Sequence, residues 1–189
     1  DEAKFILTPN VGGDAGPWLE DLKRVAEQRA GDVAVYPFRV ERGFLEAMAG
    51  ATFAVMPSLY EPFGAATEAY LAGTPVIARA TGGLVDQVDD YTADAGRATG
   101  FLFREELPLG ASWPAIQNAA TPAERVGVHL YAMMAEALYD ALQKGANLWR
   151  RHRPAYARML TNLYPKAAGF SGERAAAGYR ALYERAAGR

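Results

Sequence analysis

Residues 57–76, PSLYEPFGAATEAYLAGTPV, place two carboxylates on either side of a glycine. Glu61 lies in a Pro-rich turn after an apolar run, the turn passes through Gly64, and Glu68 sits in the first turn of an expected helix. Carboxylates accept hydrogen bonds from sugar hydroxyls in pairs, and the unsatisfied amides of a helix N-terminus attract phosphate. Such a loop at the end of a parallel strand suits a polyhydroxylated ligand that carries phosphate.

The elements that must hold this loop alternate along the chain. Lys4–Thr8, Val33–Tyr36, Phe53–Met56, Val76–Ala78 and Gly100–Phe103 read as strands. Between them, helices are expected around residues 19–26, over Glu41–Ala49 and Ala65–Ala72, and briefly near Leu84–Val88 after the turn Gly82-Gly83. Strands alternating with helices over short loops predict an α/β fold, a doubly wound parallel sheet with helices on both faces. Ligands of such sheets sit beyond the carboxyl ends of the strands, and the loop of Glu61 is of that kind.

After Phe103 the pattern changes. Residues 104–122 hold three prolines and read as a surface excursion. A helical C-terminal tail follows: Val126–Gln143 ended by Gly145, then Trp149–Leu163 with Pro154 near a helix start or kink, and a last helix capped by Ser171 and carrying Ala175, Tyr179, Leu182 and Tyr183. The expected layout is therefore one domain, with βα repeats over 1–103, an irregular insertion over 104–125 and helices over 126–189.

Composition narrows the classes. The 189 residues are 50% hydrophobic, enough for one sizeable core, and the net charge of −2 argues against a nucleic-acid backbone as partner. No cysteine is present, which excludes thiolate chemistry and is compatible with a cytoplasmic location. No apolar run is long enough to span a bilayer, so no membrane partner is expected. His129 and His152 read as lone helix residues. Asp86, Asp89, Asp90 and Asp94 lack an Asp-x-Asp spacing, so no metal is expected.

The stretch PSLYEPFG, followed by Glu68, AGTPVIA and TGGLVD, resembles the C-terminal domain of glycogen and starch synthases, retaining glucosyltransferases of the two-domain GT-B fold. MAGATFAVMPS, TGFLF and the terminal FSGERAAAGYRALY extend the resemblance over most of the chain outside 104–128. It implies a nucleotide-sugar donor, ADP-glucose or UDP-glucose, no cofactor, and an α-glucan acceptor held by an N-terminal domain. By position, Glu61 matches the acidic residue that contacts the donor hexose, and it is the candidate catalytic residue. Phe63 and Gly64 match positions whose amides approach the sugar. Ala65 and Ala66 match the helix start near the diphosphate, and Glu68 the acidic residue on the ribose. Arg39, where some bacterial glycogen synthases have tyrosine, falls in the base-binding loop and can stack through its guanidinium plane. Arg79 stands where starch synthases also carry arginine, as a phosphate or structural residue.

Two departures follow. Six residues separate Glu61 from Glu68 where many relatives have seven, so a helix starting in its usual place would turn Glu68 by about 100° and make Thr67 the rival. The 189 residues also match neither the family's first βα unit, with its diphosphate-neutralising Arg and Lys, nor its acceptor domain. The expectation is a donor-binding fragment, inactive as a transferase alone. The alternatives are another retaining GT-B enzyme with a different sugar or acceptor, and a non-catalytic nucleotide-binding or interaction domain. A dinucleotide-dependent oxidoreductase ranks below both, because no G-x-G-x-x-G follows a strand.

Overall fold

A computed structural model of the chain describes residues 3–8, 16–36, 43–106 and 113–188. The chain divides into two compact units, Asp1–Phe44 with Glu105–Glu136, and Leu45–Arg104 with Ala137–Arg189.

In the first unit β1 (Phe5–Leu7) and β2 (Val33–Val35) pair in parallel, Phe5 opposite Val33, and are linked by the helix α1 (Gly16–Gln28). Residues 104–122 differ from expectation, because the helix α5 (Trp113–Asn118) lies within them and α6 (Pro122–Val126) starts there. Ile116 is fully buried, which explains why α5 forms despite the local prolines. The Thr121 hydroxyl caps α6 by accepting from the Glu124 amide at 3.2 Å, and the Arg125 guanidinium lies 4.1 Å above the Trp18 ring.

The second unit carries the loop of interest. Its sheet has the order β3 (Ala54–Met56), β4 (Val76–Arg79), β5 (Gly100–Phe103), parallel throughout, with Ala54 opposite Val76 and Val76 opposite Gly100. All four residues of β4 are buried, Val76, Ile77 and Ala78 as an apolar run in the middle of a parallel sheet covered on both faces, and Arg79 at its carboxyl end. Between these strands run α3 (Ala65–Leu71) and the single turn α4 (Leu84–Gln87), and α2 (Phe44–Gly50) precedes β3. Ala66, Ala69 and Tyr70 of α3 pack with Val76, Ala78, Leu84, Leu163 and Ala167. A second cluster gathers Ile77, Phe101, Phe103, Leu148, Tyr156 and Met159.

The C-terminal helices are α7 (His129–Arg151), α8 (Arg153–Ala168) and α9 (Gly172–Ala186). Two predicted boundaries move. Gly145 does not end a helix; α7 continues through it to Arg151. Glycine in a helix interior costs about 1 kcal/mol relative to alanine. Here the missing methyl lets α7 lie against the sheet, since a Cβ would stand 2.9 Å from Ile77 Cδ1 and 3.2 Å from Phe53 Cε2. Packing across the sheet thus overrides the local stop signal. The helix break falls instead at His152, with Pro154 in the first turn of α8, the start position expected for it. Ser171 caps α9 as expected, accepting from the Arg174 amide at 3.3 Å. No residue of α9 is buried, and Tyr179, Leu182 and Tyr183 all face outward.

Candidate functional site

Because β3, β4 and β5 run in parallel, their carboxyl ends lie at one edge of the sheet, and the loops 57–64 and 80–83 leave from that edge. Main-chain contacts clamp these two loops together. The Gly83 amide donates to the Glu61 carbonyl at 2.7 Å. The Thr81 hydroxyl and the Arg79 guanidinium both donate to the Leu59 carbonyl at 3.1 Å. The buried Arg79 is therefore a structural residue of the loop pair. Gly82 has φ +47°, and a methyl there would overlap the Glu61 carbonyl oxygen. A methyl on Gly83 would overlap the Pro62 carbonyl oxygen and stand 2.9 Å from Gln87 Nε2. The glycine pair is what allows the two backbones to touch.

On this base the Glu61 side chain is half-buried, with its carboxylate accepting from the Ser58 hydroxyl at 3.4 Å. It does not cap the helix, because the N-cap of α3 is Gly64 and no side chain bonds there. Gly64 has φ +116°, a left-handed value that glycine alone adopts without strain. Its N–H donates to Gln87 Oε1 at 3.2 Å. The Gly64 amide is thus directed inward, and its part in the site is the sharp turn that starts α3.

Along α3, Ala65 is half-buried and Ala66 fully buried, so the first turn sits deep, and its leading amides have no acceptor within the helix. Thr67 turns back on the loop, donating from its hydroxyl to the Gly64 carbonyl at 2.6 Å. Glu68 is exposed, opposite the face formed by Ala69 and Tyr70. With Thr67 engaged, Glu68 is the carboxylate the first turn presents to solvent. Phe63 is 53% exposed, its ring edge-on to Phe170 at 5.4 Å. It forms one wall of a cleft of about 430 Å3 shared with Thr67, Leu71, Tyr164, Phe170 and Glu173. Arg39 lies outside the described residues.

A buried polar chain behind the loop was not foreseen. The Tyr70 hydroxyl donates to the Gln87 main-chain carbonyl at 3.1 Å and lies 2.9 Å from Thr99 Oγ1, which accepts from the Asp89 amide at 2.9 Å. Burial pushes the Tyr70 hydroxyl well above its ordinary pKa, the bond to Thr99 lowers it, and the charge of Asp89 raises it further. Asp89 is paired with Lys166 of α8 at 2.9 Å. Of these residues only Thr99, which opens TGFLF, and Asp89, in the acidic group, stand out in the sequence, and neither points to this chain. The TGG turn, which ends four positions before Gln87, also hints that something is fixed there.

The edge of a parallel α/β sheet thus carries a glycine-clamped loop, a half-buried carboxylate and a helix start. The family model "Glycosyl transferases group 1" matches residues 11–108, and the chain belongs to that family. It is 33% identical over 189 residues to the glycogen synthase of Desulfatibacillum aliphaticivorans, covering 96% of this chain and 32% of the relative. To that of Haemophilus influenzae (strain PittGG) it is 34% identical over 184 residues, covering 92% and 31%. The chain therefore spans about a third of the length of the curated relatives it matches. Among solved structures, the catalytic domain of starch synthase IV from Arabidopsis thaliana, bound to ADP and acarbose, superposes with TM-score 0.64 at 20% identity, over 98% of this chain and 33% of that one. Sucrose-phosphate synthase from Thermosynechococcus elongatus gives 0.57 at 24% identity, over 95% and 37%. These two likenesses bear on the fold, and they agree with the parallel sheets and surrounding helices found here. Among the described residues no helix is long and apolar enough to cross a membrane.

Proposed function

We propose that this chain is the donor-binding part of a glucosyltransferase of the glycogen and starch synthase type. In this reading the whole protein transfers glucose from ADP-glucose or UDP-glucose to an α-glucan with retention of configuration, in the cytoplasm. The observation that carries it is the half-buried Glu61 carboxylate on a loop whose backbone is clamped at the carboxyl edge of the sheet.

Each residue then has a physical task. Glu61 accepts hydrogen bonds from hexose hydroxyls, and Phe63 and the turn at Gly64 set the wall against which the sugar rests. The start of α3 at Ala65 and Ala66 offers amides to the diphosphate, with Thr67 holding the turn closed, and Glu68 meets the ribose hydroxyls. Arg39 stacks on the base. The glycosyl C1–O bond to phosphate breaks while the acceptor oxygen bonds to C1 on the same face, and the departing phosphate takes the acceptor proton. No metal or other cofactor enters. Charge on the leaving diphosphate calls for cations, which the reading assigns to the part of the protein beyond these 189 residues.

The test uses the full-length protein that carries this chain, with isotopically labelled ADP-glucose or UDP-glucose, with and without glycogen. Incorporation into glycogen from one donor is expected, with the new linkage α. Glu61→Gln should lower kcat/KM by roughly 10–100-fold, the worth of one or two hydrogen bonds to a charged acceptor. Unchanged kcat/KM in that variant refutes the role of Glu61. Glucose transfer only to a small acceptor refutes the glucan reading, and binding of donor without any transfer favours a non-catalytic domain.

A further inference from the structure

Gln87 ends α4, is fully buried, and touches the site through two different groups. Its side-chain oxygen accepts from the Gly64 amide at 3.2 Å, where the loop makes its left-handed turn into α3. Its main-chain oxygen accepts from Tyr70, a residue of that same helix, at 3.1 Å. One residue thus holds both the start and the body of α3. The other polar atom of the side chain, Nε2, is buried beneath the Gly83 turn and has no hydrogen-bond partner among the described residues.

That combination is poor as a source of stability, because a buried donor without an acceptor is destabilising and an apolar side chain of equal volume would fill the space. What an apolar side chain cannot supply is a fixed acceptor for the Gly64 N–H. We infer that Gln87 is a positioning residue for the donor-sugar loop, acting through Gly64 on the placement of Phe63 and Glu61. This rests on the donor-binding reading above and adds to it a residue that touches neither sugar nor phosphate. The loop would otherwise turn at Gly64 with an unmet amide and a glycine backbone, the freest in the chain.

The experiment uses three variants of the full-length protein. Gln87→Met conserves volume and removes both polar atoms. Gln87→Asn draws the acceptor back by one carbon, and Gln87→Glu keeps an acceptor oxygen at the same reach. Two readouts are taken: amide hydrogen exchange in the peptide containing Gly64, and steady-state kinetics with donor and acceptor varied separately. Gln87→Met and Gln87→Asn should speed exchange at Gly64 by roughly tenfold, the effect of losing one protecting hydrogen bond. They should raise the donor KM by about the same factor, with kcat within about twofold and acceptor KM unchanged. Gln87→Glu should return both readouts close to wild type. Unchanged exchange in both loss variants, or a fall in kcat with donor KM untouched, overturns the inference. If the wild-type protein transfers no glucose, the functional reading fails separately, and the exchange result alone decides whether Gln87 holds the loop.

Discussion

Gly83→Ala tests the close approach at the TGG turn, to Pro62 and to Gln87, without adding backbone strain. Gly83 has φ −66°, a value any residue adopts, so the substitution introduces no backbone strain. Most of its cost is the space the methyl needs. That methyl would overlap the Pro62 carbonyl oxygen, lie 3.0 Å from the carbonyl carbon and 2.9 Å from Gln87 Nε2. Ordinary contact begins near 3.4 Å, so loops 57–64 and 80–83 must part by several tenths of an ångström at the carbon and by more at the oxygen. The 2.7 Å bond from Gly83 N–H to the Glu61 carbonyl cannot survive that motion unchanged. Overpacking against backbone and a weakened buried hydrogen bond together cost about 2–4 kcal/mol. For a chain of this size that corresponds to a fall in Tm of roughly 5–15 °C. The control is Gly50→Ala in α2, where nothing lies within 4 Å of the new methyl; it should be neutral or stabilise by up to about 1 kcal/mol. Thermal unfolding followed by circular dichroism reads both. Donor titration of the full-length protein should show Gly83→Ala weakened as well, because the same motion displaces Glu61. Equal Tm values for the two variants, with donor binding intact in Gly83→Ala, would refute the claim that the glycines exist to let the loops touch.

Two further predictions concern packing and ionisation. Gly145→Ala in α7 should destabilise by about 1–2 kcal/mol despite the better helix propensity of alanine, because the methyl meets Ile77 and Phe53. Gly178→Ala in α9, with open space around it, should stabilise by about 0.5–1 kcal/mol; denaturant midpoints that move in the same direction for both would contradict the packing. Tyr70→Phe leaves the Gln87 carbonyl and the Thr99 hydroxyl short of a partner and should cost about 1–3 kcal/mol near neutral pH. The same variant alters the alkaline limb. The unfolded chain releases the tyrosine proton near 10.0, whereas the folded chain holds it to higher pH, so the native state binds more protons and stability falls as pH rises past that value. Wild-type Tm should therefore drop more steeply above pH 10 than that of Tyr70→Phe, and parallel curves would count against a buried, neutral Tyr70.

Much of the architecture could be read from local pattern. Val76–Ala78 forms a buried strand because three consecutive apolar residues cannot be half-solvated, and Ala65–Leu71 forms a helix because the turn at Gly64 precedes an alanine-rich run that favours helix. The tail was legible where side chains act on their own neighbours, as at the Ser171 cap and the Pro154 helix start. It was misread at Gly145, where the deciding atoms, Ile77 Cδ1 and Phe53 Cε2, are far away in the chain. The surface excursion expected over 104–122 contains a short helix for a related reason: burial of Ile116 stabilises a turn that propensity alone does not.

The candidate site divides along the same line. Sequence alone determined its chemistry, since residue types fix it: a carboxylate at 61, another at 68, glycines at 64, 82 and 83, and the run of motifs that places the chain in its family. Tertiary structure alone decided which groups those residues meet. Gln87 reaches Gly64 across 23 residues, and Gly83 reaches Glu61 across a loop junction. Hydrogen bonds between loops depend on where parallel strands deliver their carboxyl ends, and that placement is set by the packing of the whole unit rather than by any neighbouring residue.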